Sequence, residues 1–367
     1  MAKTLNNIGL VCDAVWTDFN NDGWQDLVIT GEWMSVLFYA NNKGIFKDIT
    51  ATSNLGDKKG WWTSIVPGDF DNDGDTDFVV GNLGLNSFFK ASEKYPVSIY
   101  AKDFDNNGNY DAVPTIYLPS SQLDQTKKEF PVHVRDDMTK QLISFRLKYK
   151  DYKSYATATF DQMFTKEEMQ GVLKLQANYF SNSYIRNDGD GKFTMVAMPM
   201  ETQYSCMNGM ISDDFDGDGN LDLLATGNDY GTEVQVGRYD ASNGLYLKGD
   251  GKGSFKEIKI LQSGWFVPDN AKALVKLRRN DGKCLFVISH NRGKLKAFEL
   301  NKTVGFISLQ PNETSAIINY KSGTKQKREI GYGASFMSQS GRFINTDDSM
   351  RSIDIKDYKG RIRTINL

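Results

Sequence analysis

The chain has 367 residues, with 46 acidic and 44 basic side chains and a formal charge of −2. So balanced a charge leaves no basic field for nucleic acid, and no apolar run approaches the ~20 residues of a membrane-spanning helix. Cys12, Cys206 and Cys284 are odd in number and scattered, so they make neither a zinc pair nor a disulfide framework and read as buried small hydrophobes.

The opening stretch, MAKTLNNIGLVCDAVW, has no basic segment followed by an apolar core, so no signal peptide is legible. The first of four nine-residue repeats follows: DFNNDGWQD at Asp18–Asp26, then DFDNDGDTD at Asp69–Asp77, DFDNNGNYD at Asp103–Asp111 and DFDGDGNLD at Asp214–Asp222. Each runs into a short apolar stretch (LVIT, FVV, AVPT, LLAT) that reads as a buried strand. A second repeat recurs at Tyr39–Thr50, Tyr184–Val196 and Leu245–Ile258, with alternating apolar residues around an Asn/Asp/Gly/Lys turn, the pattern of an outer β-hairpin. Loop, buried strand, further strand and hairpin together make one four-stranded blade. The fold class is therefore all-β, a β-propeller whose blades leave only short protected edges.

The gap from Asp103 to Asp214 is too long for one blade. Within it, residues from about Arg135 to Gln176 carry apolar side chains three and four apart, and Thr165 with Glu168 fits a capping box, so a helical insertion is expected there, in or beside the third blade. Leu277–Asn291 keeps the strand and Asn-Asp-Gly turn without the carboxylates and reads as a degenerate blade. Alternating strands continue from about Val304 to Leu367, giving about five recognisable blades in residues 1–305 and a C-terminal β segment over 306–367.

Oxygen donors at positions 1, 3, 5 and 9, with Gly at position 6 for the sharp turn, describe a loop wrapped round a hard cation. The first loop offers Asp18, Asn20, Asp22, the carbonyl of Trp24, and Asp26; the second, Asp69, Asp71, Asp73, the carbonyl of Asp75, and Asp77. The third offers Asp103, Asp105, Asn107, the carbonyl of Asn109, and Asp111; the fourth, Asp214, Asp216, Asp218, the carbonyl of Asn220, and Asp222. An EF-hand would need Glu at position 12, where this chain has Ile29, Val80, Pro114 and Ala225. Calcium at up to four sites is the expected cofactor, and Asn107, which removes one formal charge, marks the weakest.

The loop-plus-hairpin pattern resembles the FG-GAP/VCBS repeat of integrin α-chain propellers. Gly81–Ser92 and Gly237–Phe255 are similar to bacterial VCBS-repeat proteins of the ASPIC/UnbV, or cartilage-acidic-protein-like, group, and Lys327–Phe343 with the stretch from Met350 is similar to the ASPIC/UnbV C-terminal module. The resemblance implies a calcium-stabilised propeller of commonly seven blades, exported and often on the cell surface, secreted or in the periplasm, with no defined activity. Missing N-terminal blades and a missing leader would account together for the smaller blade number and the absent signal.

Three functions fit. The first is a non-enzymatic binding or scaffold module for a protein or glycan ligand, with Trp61, Trp62, Tyr230, Arg238 and Tyr239 as candidates for its face and core packing as the alternative for the tryptophans. The second is a calcium-dependent, lyase-like polysaccharide enzyme, against which the only histidines, His133 and His290, belong to no catalytic constellation, so no catalytic residue is assigned. The third is a structural part of an envelope complex, for which the insertion is the supporting feature.

Overall fold

The computed structural model of the protein describes residues 5–120, 124–301, 304–333 and 335–367. The first four residues, part of the stretch read for a leader, and Ala334 in the C-terminal module lie outside the described residues. Strands hold 42% of the chain and helices 9%, so the expected all-β class is observed. The chain divides into two units, one of Met1–Phe88 with Ser181–Leu367 and the other of Phe89–Phe180.

In the first unit, β1 (Leu10–Thr17), β2 (Asp26–Met34), β3 (Leu37–Asn42) and β4 (Ile45–Asp48) form an antiparallel sheet in that order, with β5 (Gly60–Trp61) added on β2. The second sheet begins with β6 (Ser64–Gly68) and β7 (Asp77–Gly81), and all five residues of β7 are buried. The chain then leaves this sheet and forms the whole second unit before returning to it.

The second unit has its own antiparallel sheet, in the order β10 (Lys127–Pro131), β9 (Asp111–Pro119), β8 (Val97–Lys102), β11 (Leu173–Ala177). Four short helices precede β11: α1 (Arg135–Gln141), α2 (Phe145–Lys148), α3 (Tyr152–Ala156) and α4 (Phe160–Met163). Helices this short are not stable alone, and packing holds them. Tyr100 stacks on Phe160 at 4.2 Å and Phe104 on Phe164 at 4.5 Å, in a core with Val113, Met138 and Phe145. The helical segment predicted over 135–176 is thus part of a larger α+β insertion. The predicted capping box forms, with Thr165 N–H donating to Glu168 at 2.7 Å and Glu168 N–H to Thr165 Oγ1 at 3.2 Å. Only turns follow it, because Gly171 adopts a left-handed φ of 72° and β11 starts two residues later.

The interrupted second sheet is completed by β12 (Ser183–Asn187), on β7, and β13 (Phe193–Ala197). β14 (Met207–Asp213), β15 (Asp222–Gly227), β16 (Leu245–Gly249) and β17 (Phe255–Glu257) make the next sheet. After the short α5 (Ile260–Ser263), β18 (Ala271–Arg278), β19 (Cys284–His290) and β20 (Lys296–Glu299) form the sheet expected from the degenerate repeat, without the nine-residue aspartate loop. The first strands of these four sheets lie side by side, β1 on β6, β6 on β14 and β14 on β18, a propeller-like row of blades. The blade expected after Asp103 is not in this row, because that loop joins β8 to β9 in the second unit. Among the described residues the row therefore has four blades, where about five were expected.

The tail holds β21 (Gly305–Ser308), β22 (Glu313–Tyr320), β23 (Lys325–Glu329), β24 (Phe343–Thr346), β25 (Met350–Asp357) and β26 (Ile362–Asn366). β21 pairs with β24, and the others form a sheet ordered β23-β22-β25-β26 around Ile318, Tyr320, Ile353 and Ile355. Between the first two blades Phe38 stacks on Phe193 at 4.1 Å. Val66, Phe70, Met210, Leu221, Leu223 and Leu247 fill the space between the second and third.

Candidate metal centres

All four loops close by one hydrogen-bond scheme. Position 1 accepts the N–H of position 6: Gly23 on Asp18 at 3.0 Å, Gly74 on Asp69 at 3.2 Å, Gly108 on Asp103 at 2.8 Å and Gly219 on Asp214 at 2.9 Å. Position 3 accepts from position 5, as Asn20, Asp71, Asp105 and Asp216 do at 3.0–3.3 Å. Position 5 accepts from position 7: Trp24 on Asp22, Asp75 on Asp73, Asn109 on Asn107 and Asn220 on Asp218, at 2.8–2.9 Å. Each N–H tied to a side chain in this way curls the backbone and brings the odd-numbered side chains toward one centre.

Two features of the loop went unread in the sequence. Position 4 is left-handed in every copy, with φ of 56° at Asn21, 60° at Asn72, 59° at Asn106 and 86° at Gly217, beside the expected left-handed glycine at position 6. The signal was present, because Asn and Gly are the residues that tolerate this region most readily. Position 2 is always Phe. Phe19, Phe70 and Phe215 are buried anchors, and all four, Phe104 included, donate their backbone N–H to the aspartate at position 9 at 3.1–3.2 Å.

That ninth aspartate is also a hinge pin. The other oxygens of Asp26, Asp77 and Asp222 accept the N–H of Asn41 at 2.7 Å, Asn187 at 2.8 Å and Gly249 at 3.0 Å, on the neighbouring strand. Tyr184 adds its hydroxyl to Asp77 at 2.7 Å and Tyr246 to Asp222 at 3.0 Å. These three carboxyls are fully buried, and burial pushes each up to about 7.

The donor sets fit a hard cation. Carboxylate oxygens of Asp69, Asp71 and Asp77 lie within 4.8 Å of one another, as do those of Asp103, Asp105 and Asp111, and of Asp214, Asp216 and Asp218. Among the described residues Asp18, Asp22 and Asp26 form no such set, and Asn20 donates to Asp22 at 3.1 Å instead. Asp18 Oδ1 and Asp69 Oδ1 are buried without a hydrogen-bond partner. A buried carboxylate oxygen with no donor is costly, and a bound cation would satisfy it. All-oxygen ligation favours calcium or magnesium over softer metals.

The three loops of the first unit touch one another. Asn21 donates to Asp75 at 2.6 Å and Asn72 to Asn220 at 2.9 Å. The C-terminal sheet lies over them: Gln326 donates to the Gly219 carbonyl at 2.6 Å, Lys327 to Asn21 at 2.8 Å and Thr76 at 3.0 Å, and Lys356 stands 3.5 Å from Asp18. Just behind the fourth loop, buried Asp213 takes an ion pair from Lys276 at 2.8 Å and another at 2.5 Å from Arg328, and these cations hold its carboxyl below the usual range against the opposing effect of burial.

The candidate binding-face residues divide. Trp62 is fully buried with its indole N–H on the Met34 carbonyl at 2.9 Å, and Tyr239 is buried in a bridge with Asp229, so both belong to the core. Trp61 is half-buried against Trp33, ring centres 4.9 Å apart. Exposed Arg238 lies over the half-buried Tyr230 ring at 5.1 Å. Buried His290 bonds the Pro268 carbonyl at 3.1 Å, and His133, in the second unit, meets Gln141 at 3.1 Å.

Residues 18–80 match the family model described as FG-GAP-like repeat, and residues 61–100 match the one described as FG-GAP repeat. The chain carries FG-GAP repeats. The FG-GAP matches contain the first and second loops whole; the third and fourth loops, built on the same bonds, lie beyond them. No curated protein matches the chain. Among solved structures it is similar to BBS1N in complex with ARL6DN, at 8% identity over 98% of this chain and 92% of that one, with a TM-score of 0.22. It is similar also to the V. cholerae biofilm matrix protein Bap1, at 9% identity over 98% of this chain and 59% of that one, TM-score 0.17. A third is the exotype rhamnogalacturonan lyase YesX, at 11% identity over 95% and 63%, TM-score 0.14. FG-GAP repeats on propeller-like blades indicate a binding or scaffold module.

Proposed function

We propose that this FG-GAP protein is a calcium-binding, non-enzymatic module that works outside the cytoplasm, on the cell surface or secreted, and holds a protein or glycan ligand on its blade loops. The observation that carries the calcium reading is the second loop, where Asp69, Asp71 and Asp77 converge and Asp69 Oδ1 is buried with no donor. Bound calcium would supply two positive charges and six to eight coordination positions. The chain's own residues do the rest: the N–H groups of Gly74, Asp73 and Asp75 aim the carboxylates, and Asp77 ties the loop to the Asn187 turn. Weak loops of this kind suit compartments rich in calcium, which supports export. The exposed Arg238 over Tyr230 pairs a cation and an aromatic plane, chemistry suited to sugars and to peptide side chains.

Thermal unfolding of the full chain with excess calcium and with excess chelator tests the metal. Calcium is expected to raise Tm, and identical curves in the two buffers overturn the reading. A glycan array run in both buffers tests the ligand class. Unsaturated product from a polyuronate panel would replace the non-enzymatic reading with a lyase.

A further inference from the structure

One side-chain position overlooks each blade loop, and it differs among the three blades. Leu27 pairs with Tyr39, Phe78 with Ile185, and Leu223 with Leu247. The next residues along are Ala40, Arg186 and Lys248, each followed by the residue whose N–H bonds the ninth aspartate. Ala40 is too short to reach its loop. Arg186 turns aside to Asp188 at 2.7 Å. Lys248 extends into the fourth loop, where its ammonium pairs with Asp216 and, at 2.8 Å, with Asp218.

We infer that Lys248 is the built-in cation of the fourth loop, occupying the carboxylates at positions 3 and 5 in place of a metal ion. The donor set bears the mark of this. In the second and third loops the ninth aspartate, Asp77 or Asp111, converges with positions 1 and 3, whereas in the fourth the set is Asp214, Asp216 and Asp218, without Asp222. A calcium ion needs the same two side chains that Lys248 holds, so the ion and the ammonium exclude each other. Among the described residues no lysine or arginine forms a direct ion pair with a carboxylate of the second loop, where Arg186 acts on Asp71 only from a distance. Only the fraction of molecules with Lys248 swung away from both carboxylates is competent to bind an ion there. A metal centre has thus become a salt bridge within an intact repeat.

The inference rests on the calcium reading of the other loops, and calorimetric titration of the chelator-stripped full chain with calcium chloride separates the two. Asp71→Asn is expected to lose one calcium equivalent relative to wild type, and Asp216→Asn to lose none. Lys248→Met, which keeps the apolar stem, is expected to gain one equivalent. An Asp216→Asn variant that loses an equivalent as Asp71→Asn does overturns the inference, as does a Lys248→Met titration indistinguishable from wild type. If wild type binds no calcium, the calcium reading fails. Lys248→Met then decides this inference alone, upheld by a gained equivalent and overturned by none.

Discussion

Tyr184→Phe isolates the hinge role of the ninth aspartate from any role in holding metal. Tyr184 is 4% exposed and sits against Phe70 and Phe255 at 6.1 and 6.0 Å between ring centres, contacts a phenylalanine keeps. What disappears is one hydroxyl, donating at 2.7 Å to the buried carboxyl of Asp77, whose remaining donors are the N–H groups of Phe70 and Asn187. A hydrogen bond to a charged group contributes about 1.5–3 kcal/mol. In a unit of this size that is a fall in Tm of roughly 3–12 °C, taking ~2–4 °C per kcal/mol. Urea unfolding in excess chelator measures it with no metal contribution, and the m-value is expected to stay constant because the surface exposed on unfolding is unchanged. Tyr246→Phe in the third blade is the companion, expected to cost less because Tyr246 is only half-buried and its bond to Asp222 is 3.0 Å long. A loss below about 0.5 kcal/mol for Tyr184→Phe would mean that two N–H groups already satisfy Asp77, and the hinge argument would fall.

Calcium at a hundred times its dissociation constant adds about 2.7 kcal/mol per occupied site, so Asp71→Ala is expected to lose one such increment in calcium and to change little in chelator, read by the same urea titrations. Asp13, buried between β1 and β6 and accepting the N–H groups of Ala14 at 2.9 Å and Ile65 at 3.1 Å, is pushed up to about 7 by burial. A raised carboxyl favours the fold fully below its unfolded value near 3.8 and loses that contribution as pH rises through about 7. The stability of wild type relative to Asp13→Asn is therefore expected to fall by up to roughly 4 kcal/mol between pH 4 and pH 8, at 1.36 kcal/mol per unit, and a pH-independent difference between urea midpoints would contradict it. Asp213→Ala strands Lys276 and Arg328 together and is expected to cost about 3–5 kcal/mol, seen as a large fall in Tm. Replacing residues 89–180 by a short Gly/Ser linker is expected to leave the first unit folded, because Asn82 N–H already bonds Asn182 Oδ1 at 2.6 Å. Loss of cooperative unfolding in that deletion would show that the first unit depends on the second.

What could be read in advance followed from local chemistry. The strands after the loops begin at the ninth aspartates, Asp26, Asp77, Asp111 and Asp222, because the loop bonds and the apolar run behind them are encoded within a dozen residues. The outer hairpins were equally legible from their turn residues. The placement of the third loop was not, because Asp103–Asp111 has the same grammar as the others and only strand pairing assigns it to the second unit. Lys248 was invisible for a related reason: its meaning depends on register across β15 and β16, which links Leu223 to Leu247 and sets the next side chain over the fourth loop. The amphipathic spacing read as helical over about 135–176 takes the form of four helical fragments up to Met163, since extended residues such as Leu142 break the run, and its last residues, from Leu173, lie in β11.

The interruption of the second blade bears on how the chain folds as it is made. β7 is buried along its whole length, with the apolar run Phe78–Val80 at its centre, and has β6 on one side only until Ser183 pairs with Val80. At ~5–20 residues per second of synthesis, that edge waits roughly 5–20 s for its partner, long enough for a neighbouring nascent chain to add a strand there. Early folding of the second unit would shorten the search by drawing the ends of the gap together. Asn182 then acts as a latch, since its buried side chain accepts from Asn82 and donates to the carbonyls of Thr202 at 2.7 Å and Ser205 at 3.1 Å. Aggregation during synthesis should therefore respond more to substitutions that slow residues 89–180 than to equally destabilising ones in the first blade.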